Sequence, residues 1–188
     1  MEHKGTNLLE TERLILRRLH EDDAKQMYEN WVSDKKVVTY LTWPVHKNIE
    51  ITKNILIEWM EQYNQNNYYQ WGIEIADTNQ LIGTISVVNQ IEKINSMEIG
   101  YCIGSKWWNQ GYTSEALKAV IDYLFNEVGC YRVDAKHDPR NPHSGDVMKK
   151  CGMKYEGTLR QYDVNNLGIC DVCYYSILKS EWEINQIL

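Results

Sequence analysis

Proline is scarce in this 188-residue chain. There are three, and no Pro/Gly-rich linker, internal repeat or low-complexity tract marks a domain boundary. A single domain over residues 1–188 is expected. No apolar run is long enough to span a membrane, and the opening MEHKGTNLLE lacks the apolar core of a signal peptide. A cytoplasmic protein is therefore expected. Two phosphate signatures are missing as well. There is no Gly-Lys-Ser/Thr of a nucleoside triphosphate loop and no G-x-G-x-x-G of a dinucleotide fold. Cysteines number five, at 102, 130, 151, 170 and 173, an odd and scattered set that argues against a disulfide framework. Cys170 and Cys173 have a metal-like spacing, but no second pair accompanies them. Positions three apart on a strand also face opposite ways, so no metal is expected. Basic residues fall short of acidic ones, 20 against 26, for a net charge of -6. That balance disfavours nucleic acid and anionic membranes and is compatible with a cationic substrate.

What is present is a globular composition, 43% hydrophobic. ERLILRRL (12–19) reads as a strand. EDDAKQMYENWV (21–32) places Ala24, Met27, Tyr28 and Trp31 at helical spacing. A second helix is read over 48–65, on the stripe Leu56, Trp59, Met60 and Tyr63. YYQWGIEIA (68–76) and LIGTISVV (81–88) alternate around a polar turn and predict a hairpin. MEIGYCIG (97–104) puts Ile99, Tyr101 and Ile103 on one strand face and Glu98, Gly100 and Cys102 on the other. A helix over about 114–128 stops at Gly129. YRVDAKH (131–137) is a strand, 144–152 a short helix, and 153–163 and 169–179 are two closing strands. Mixed hairpins and crossovers imply a mixed α/β fold, with about seven strands in one sheet and about four helices on its faces. Trp31, Trp59, Trp71 and the tyrosine-rich 68–71 read as core rather than as a ligand cage.

The stretch WWNQGYTSEAL (107–117) sets Gly111 directly before a helix start. A helix N-terminus offers unpaired N–H groups and a partial positive charge, and a glycine there lets an anion approach the backbone. Thr113 or Ser114 can cap that end. A plain helix start has the same look, so this motif alone does not decide.

Together, TERLILRRL, EIGYCIG, WWNQGYTSEAL and NPHSGDVMKKCGM, in this order and at these intervals, resemble the GNAT acetyltransferase superfamily. The likeness is to the branch that includes ribosomal-protein N-terminal acetyltransferases, and it covers about residues 8 to 180. It implies a GNAT-like fold with a mostly antiparallel sheet. It also implies acetyl-CoA as donor, a primary amine of a protein N-terminus or small molecule as acceptor, and a monomer or homodimer. By the same resemblance the backbone of Asn109, Gln110, Gly111, Tyr112, Thr113 and Ser114 holds the pyrophosphate, and Tyr101, Cys102 and Ile103 pair with the pantetheine arm. The family's loop pattern is Arg/Gln-x-x-Gly-x-Gly/Ala; Trp108 and Thr113 stand at its first and last positions here.

Acetyl transfer to an amine needs a base for the ammonium proton and a donor for the leaving thiolate. Glu98 is the candidate base, beside small neighbours on one strand face; the alternative is a glutamate in a structural ion pair. The superfamily's frequent tyrosine acid falls at Met148, which cannot donate a proton. This branch has Asn-x-x-Ser instead, matched by Asn141 and Ser144. The resemblance gives Ser144 to the CoA sulfur and Asn141 to the pantetheine arm. A helix cap and a turn former before Pro142 are the structural alternatives. Trp43 and His46 lie in a segment that lines the acceptor pocket in related enzymes. His137 and His143 flank the Asn-x-x-Ser turn and could be structural. The rival to an enzyme is a non-catalytic acyl-CoA-binding or regulatory module of the same fold.

Overall fold

Alternation along the chain becomes one eight-stranded sheet in the computed structural model, which describes residues 1–187. The strands are β1 (Leu9–Glu10), β2 (Leu14–Arg17), β3 (Gln70–Ile75), β4 (Gln80–Ile91), β5 (Ser96–Ile103), β6 (Arg132–His137), β7 (Lys154–Asn165) and β8 (Gly168–Leu178). Their order is β1-β2-β3-β4-β5-β6-β8-β7. Every neighbouring pair is antiparallel except β5 with β6. The eighth strand, absent from the sequence reading, is the two-residue β1, too short to show alternation.

The helices are α1 (Ala24–Met27), α2 (Lys35–Val38), α3 (Ile49–Gln62), α4 (Tyr112–Tyr123), α5 (Pro142–Lys150) and α6 (Lys179–Ile187). Two of the six escape periodicity. α2 has four residues, and α6 continues a run that reads as strand. The expected helix 21–32 is broken into a tight turn (Glu21–Asp23), α1 and a wider turn (Tyr28–Val32). Local side-chain bonds accompany that break at each end. Buried Asp23 accepts both terminal nitrogens of Arg17, and the Ser33 hydroxyl donates to the Tyr28 carbonyl at 2.6 Å. α4 likewise ends in a wide turn (Leu124–Val128), and Gly129 at φ +76° stops it as expected.

Two apolar clusters cover the two faces of the sheet. On one face Leu14, Trp71, Ile73, Met97 and Ile99 pack against Leu117, Ile121 and Phe125 of the α4 region. On the other, Leu19 and Leu81 meet Trp31 and Leu56. Fully buried side chains of this size each contribute about 2 kcal/mol, so the sheet is a stiff platform. Trp31, Trp71 and Tyr69 are core, as their apolar patterning suggests; Trp59 is half-buried and borders a cavity. Among the described residues no helix is long and apolar enough to cross a membrane.

Candidate active site

The site begins where the sheet comes apart. β5 and β6 pair in parallel only over Ser96–Ile99 with Arg132–Ala135. Beyond Ile99 the β5 backbone has no partner on that side, while its other edge stays paired with β4 from Gly83 to Ser86. A register shift in β4 between Val87 and Asn89 bends the sheet at the same level. The split leaves Gly100–Ile103 with an open edge facing α5.

A groove of about 430 Å³ runs along that edge. It is lined by Tyr101, Cys102 and Ile103, by Asn109, Gly111, Thr113 and Ser114, and by Asn141 and Ser144. The Ile103 carbonyl is already taken by the Trp108 indole at 2.9 Å. Gln110 and Tyr112 are not among the lining residues: the Gln110 carbonyl accepts from Arg13, and the Tyr112 ring lies 4.5 Å beneath the Arg13 guanidinium. Asn109 and Gly111 are both left-handed, at φ +61° and +84°. Gly111 itself is the N-cap of α4 and no side chain caps this end, which corrects the sequence reading of Thr113 or Ser114 as the cap. The first helical amides are therefore left without side-chain acceptors. Lys36 and Lys150 add positive charge along the groove, Asp146 opposes them, and Arg140 is already paired with Asp138. A polyanionic CoA thioester fits this donor set: bare amides at a helix N-terminus, flanking lysines and a free strand edge.

A larger cavity of about 790 Å³ lies on the α1 and α3 side. Glu98, Gly100 and Cys102 face it, as the alternation of β5 requires. Trp43 and His46 line it too, their rings 5.7 Å apart. His46 bonds Thr52 at 2.9 Å, and burial lowers its pKa, so the imidazole is neutral at pH 7. Glu98, 11% exposed, pairs with Lys136 at 3.3 Å, and Lys136 reaches Asp163 at 3.1 Å. Burial opposes the Lys136 charge, but Asp163 and Glu98 outweigh it and raise the pKa. Burial also opposes the Asp163 carboxylate, yet the Val164 amide and Lys136 hold it below the usual range. Lys136, Asp163 and Tyr174 were not singled out by the sequence. Lys136 alone carries a signal, charge on alternate residues of RVDAKH on one face of a central strand; Asp163 and Tyr174, on β7 and β8, carry none.

The two cavities share six lining residues: Tyr40, Leu41, Tyr101, Cys102, Asn141 and Ser144. Ser144 is the third residue of α5; Asn141 is the N-cap and makes no side-chain capping bond. Neither side chain is used as a cap, although both could have been. The Tyr101 hydroxyl donates to the Ser144 carbonyl at 2.9 Å and ties α5 to β5. Burial raises the pKa of both Tyr101 and Cys102, so phenol and thiol stay protonated. Met148, at the place of a tyrosine acid, is buried in the core. His137 Nδ1 bonds the Asp138 carbonyl at 2.8 Å, and its buried Nε2 packs against Gly145, where no side chain would fit.

The tip of the β7–β8 hairpin closes one side of the larger cavity. Asn166 Nδ2 lies 2.8, 3.0 and 2.8 Å from the carbonyls of Val38, Leu41 and Trp43. Asn165 donates to buried Asp138 at 2.7 Å, and Arg140 grips the same carboxylate. The Arg140 hydrogen bonds hold Asp138 down to about 2, against an opposing burial effect. Cys170 lines the cavity while Cys173 packs on the opposite face of β8.

A model of the acetyltransferase (GNAT) domain matches residues 13–154. The chain belongs to the GNAT acetyltransferase family. The uncharacterized N-acetyltransferase YoaA of Bacillus subtilis is 34% identical over 172 residues, covering 92% of this chain and 97% of that one. The [ribosomal protein uS5]-alanine N-acetyltransferase of Escherichia coli is 26% identical over 163 residues, 82% of this chain and 81% of its own. A crystal structure of a GNAT-family acetyltransferase from Bacillus anthracis has a TM-score of 0.81 at 28% identity, covering 93% and 99%. In this GNAT acetyltransferase the matched span holds the phosphate-loop candidate, Glu98 and Ser144. The hairpin tip at Asn165 and Asn166 lies beyond it.

Proposed function

We propose that this acetyltransferase moves an acetyl group from acetyl-CoA, held in the smaller groove, to a primary amine in the larger cavity. The observation that carries the reading is the junction of the two spaces at Tyr101, Cys102, Asn141 and Ser144. Two substrates meeting there react directly, without a covalent enzyme intermediate. The protonated Cys102 thiol argues the same way, because a thiol is a poor nucleophile.

Acetyl-CoA supplies an activated acyl group and a thiolate leaving group. The chain supplies the rest. Backbone amides from Asn109 to Ser114 anchor the phosphates, and the open edge of β5 aligns the pantetheine arm. A primary ammonium, with a pKa near ~10, must lose a proton before it attacks. Glu98 is placed in the acceptor cavity to receive that proton, directly or through water, and Lys136 fixes its orientation. Ser144 offers a hydroxyl to the sulfur at the positive end of α5, where developing negative charge is favoured.

The decisive assay follows free thiol release from acetyl-CoA with a panel of amines: short peptides with free N-termini, a polyamine and aromatic amines. At least one should accelerate release well above hydrolysis. CoA binding with no acceleration by any amine would favour a non-catalytic acyl-CoA-binding module.

A further inference from the structure

Behind the phosphate loop lies a cluster that touches neither cavity. Arg13, just before β2, sends Nη1 to the Gln110 carbonyl at 3.0 Å and Nε to Glu115 at 2.7 Å. Its Nη2 lies 2.6 Å from the same Glu115 oxygen. Glu115 sits in the first turn of α4, and its other oxygen takes the Arg13 amide at 2.9 Å and the Thr11 hydroxyl at 2.6 Å. The guanidinium also stacks over Tyr112, and Nη2 is the one group within 4 Å of where a Gly111 side chain would start. One planar side chain thus spans the loop from Gln110 to Glu115, across both sides of its left-handed turn.

We propose that Arg13 is a positioning residue for acetyl-CoA: it holds the Asn109–Ser114 backbone in the geometry that presents its amides to the pyrophosphate. The proposal rests on the assignment of acetyl-CoA to this groove. Arg13 acts through shape rather than through net charge, because Glu115 neutralises it at contact distance. Asn109 is a non-glycine residue held left-handed, and Gly111 beside it is conformationally free, so the loop keeps one shape only if its surroundings fix it. The forked guanidinium does so from outside the groove, leaving the inner amides free. A lysine could not, since one ammonium cannot reach the Gln110 carbonyl and Glu115 in the same plane and stack on Tyr112. The cluster gives a physical role to Thr11 and Arg13 of TERLILRRL and to Glu115 of WWNQGYTSEAL, which stand a hundred residues apart in sequence and share one hydrogen-bonded knot.

The test titrates CoA and pantetheine, which lacks the pyrophosphate, into wild type, Arg13→Ala and Arg13→Lys. Arg13→Ala should bind CoA about tenfold more weakly, the effect of losing hydrogen bonds to a charged group. Pantetheine binding should be unchanged, and Arg13→Lys should recover little. Unchanged CoA affinity in folded Arg13→Ala, or equal weakening of both ligands, overturns the proposal. If circular dichroism shows that Arg13→Ala does not fold, Glu115→Gln is read by the same two outcomes. Wild-type protein that binds no CoA overturns the groove assignment itself, a result distinct from wild-type binding that Arg13 does not affect.

Discussion

The groove and the acceptor cavity are built differently. The groove is made of backbone: a left-handed turn, bare helical amides and an unpaired strand edge. The cavity is made of side chains from α1, α3, β5, β6 and the β7–β8 hairpin, several of them charged or aromatic. Backbone sites need few residue identities, so one chain motif can specify a shared donor. A side-chain site instead depends on many residue identities at once, drawn from distant parts of the chain.

The sharpest break of this contrast is Gly111→Glu. A side chain at φ +84° is strained and starts 3.3 Å from Arg13 Nη2, so it disturbs both the turn and the guanidinium that braces it. CoA affinity should fall at least about a hundredfold by calorimetry. Retained affinity in a folded variant would remove the loop from the site. At the junction, Ser144→Ala should lower kcat by about ten- to a hundredfold with CoA affinity intact, the low end of acid catalysis. Full kcat with chemistry rate-limiting would leave the serine without a catalytic role. Glu98→Gln should flatten the acidic limb of the kcat/KM profile and spare CoA binding; an unaltered profile assigns the proton to another group.

Asn166→Ala isolates the cavity wall. It should raise KM for the amine by roughly three- to tenfold, as the Val38–Trp43 segment loses its clasp, and leave CoA affinity alone. A matching loss of CoA affinity would show that the two regions are one unit. The smallest effect is on stability. The folded pKa of Asp138 is depressed to about 2, so its contribution is present above its unfolded value near ~4 and is lost as pH falls through 2. Asp138→Asn should therefore lower Tm at neutral pH, with the gap closing on acidification. A gap independent of pH would assign the effect to packing.

Sequence made the backbone half of this molecule legible. Gly111 before a helix and the alternation of β5 read directly, because each reflects local geometry, whereas Asn141 and Ser144 were picked out only through the family resemblance. The cavity was only partly legible. Glu98 could be named from its strand face, but its partner Lys136 lies 38 residues later on another strand, and their contact depends on β5 pairing with β6. Asn165 and Asn166 look like any turn. Their clasp appears only once the hairpin tip has been folded onto α2 and the segment after it. The helix 21–32 misled for another reason: its apolar spacing is regular, and the local bonds at its two ends, Asp23 with Arg17 and Tyr28 with Ser33, leave no mark in that spacing.

Asn166 reaches carbonyls between 123 and 128 positions upstream. Contacts that distant close late, since a long loop must be ordered before they form. As the chain emerges from the ribosome, the phosphate loop, α4, Glu98 and Ser144 are all synthesised before the hairpin tip exists. The segment from Val38 to Trp43 stays unclasped until Asn166 has been made. That side of the larger cavity is thus completed by a residue made after every candidate of the groove and of the junction, and its shape depends on the hairpin having docked.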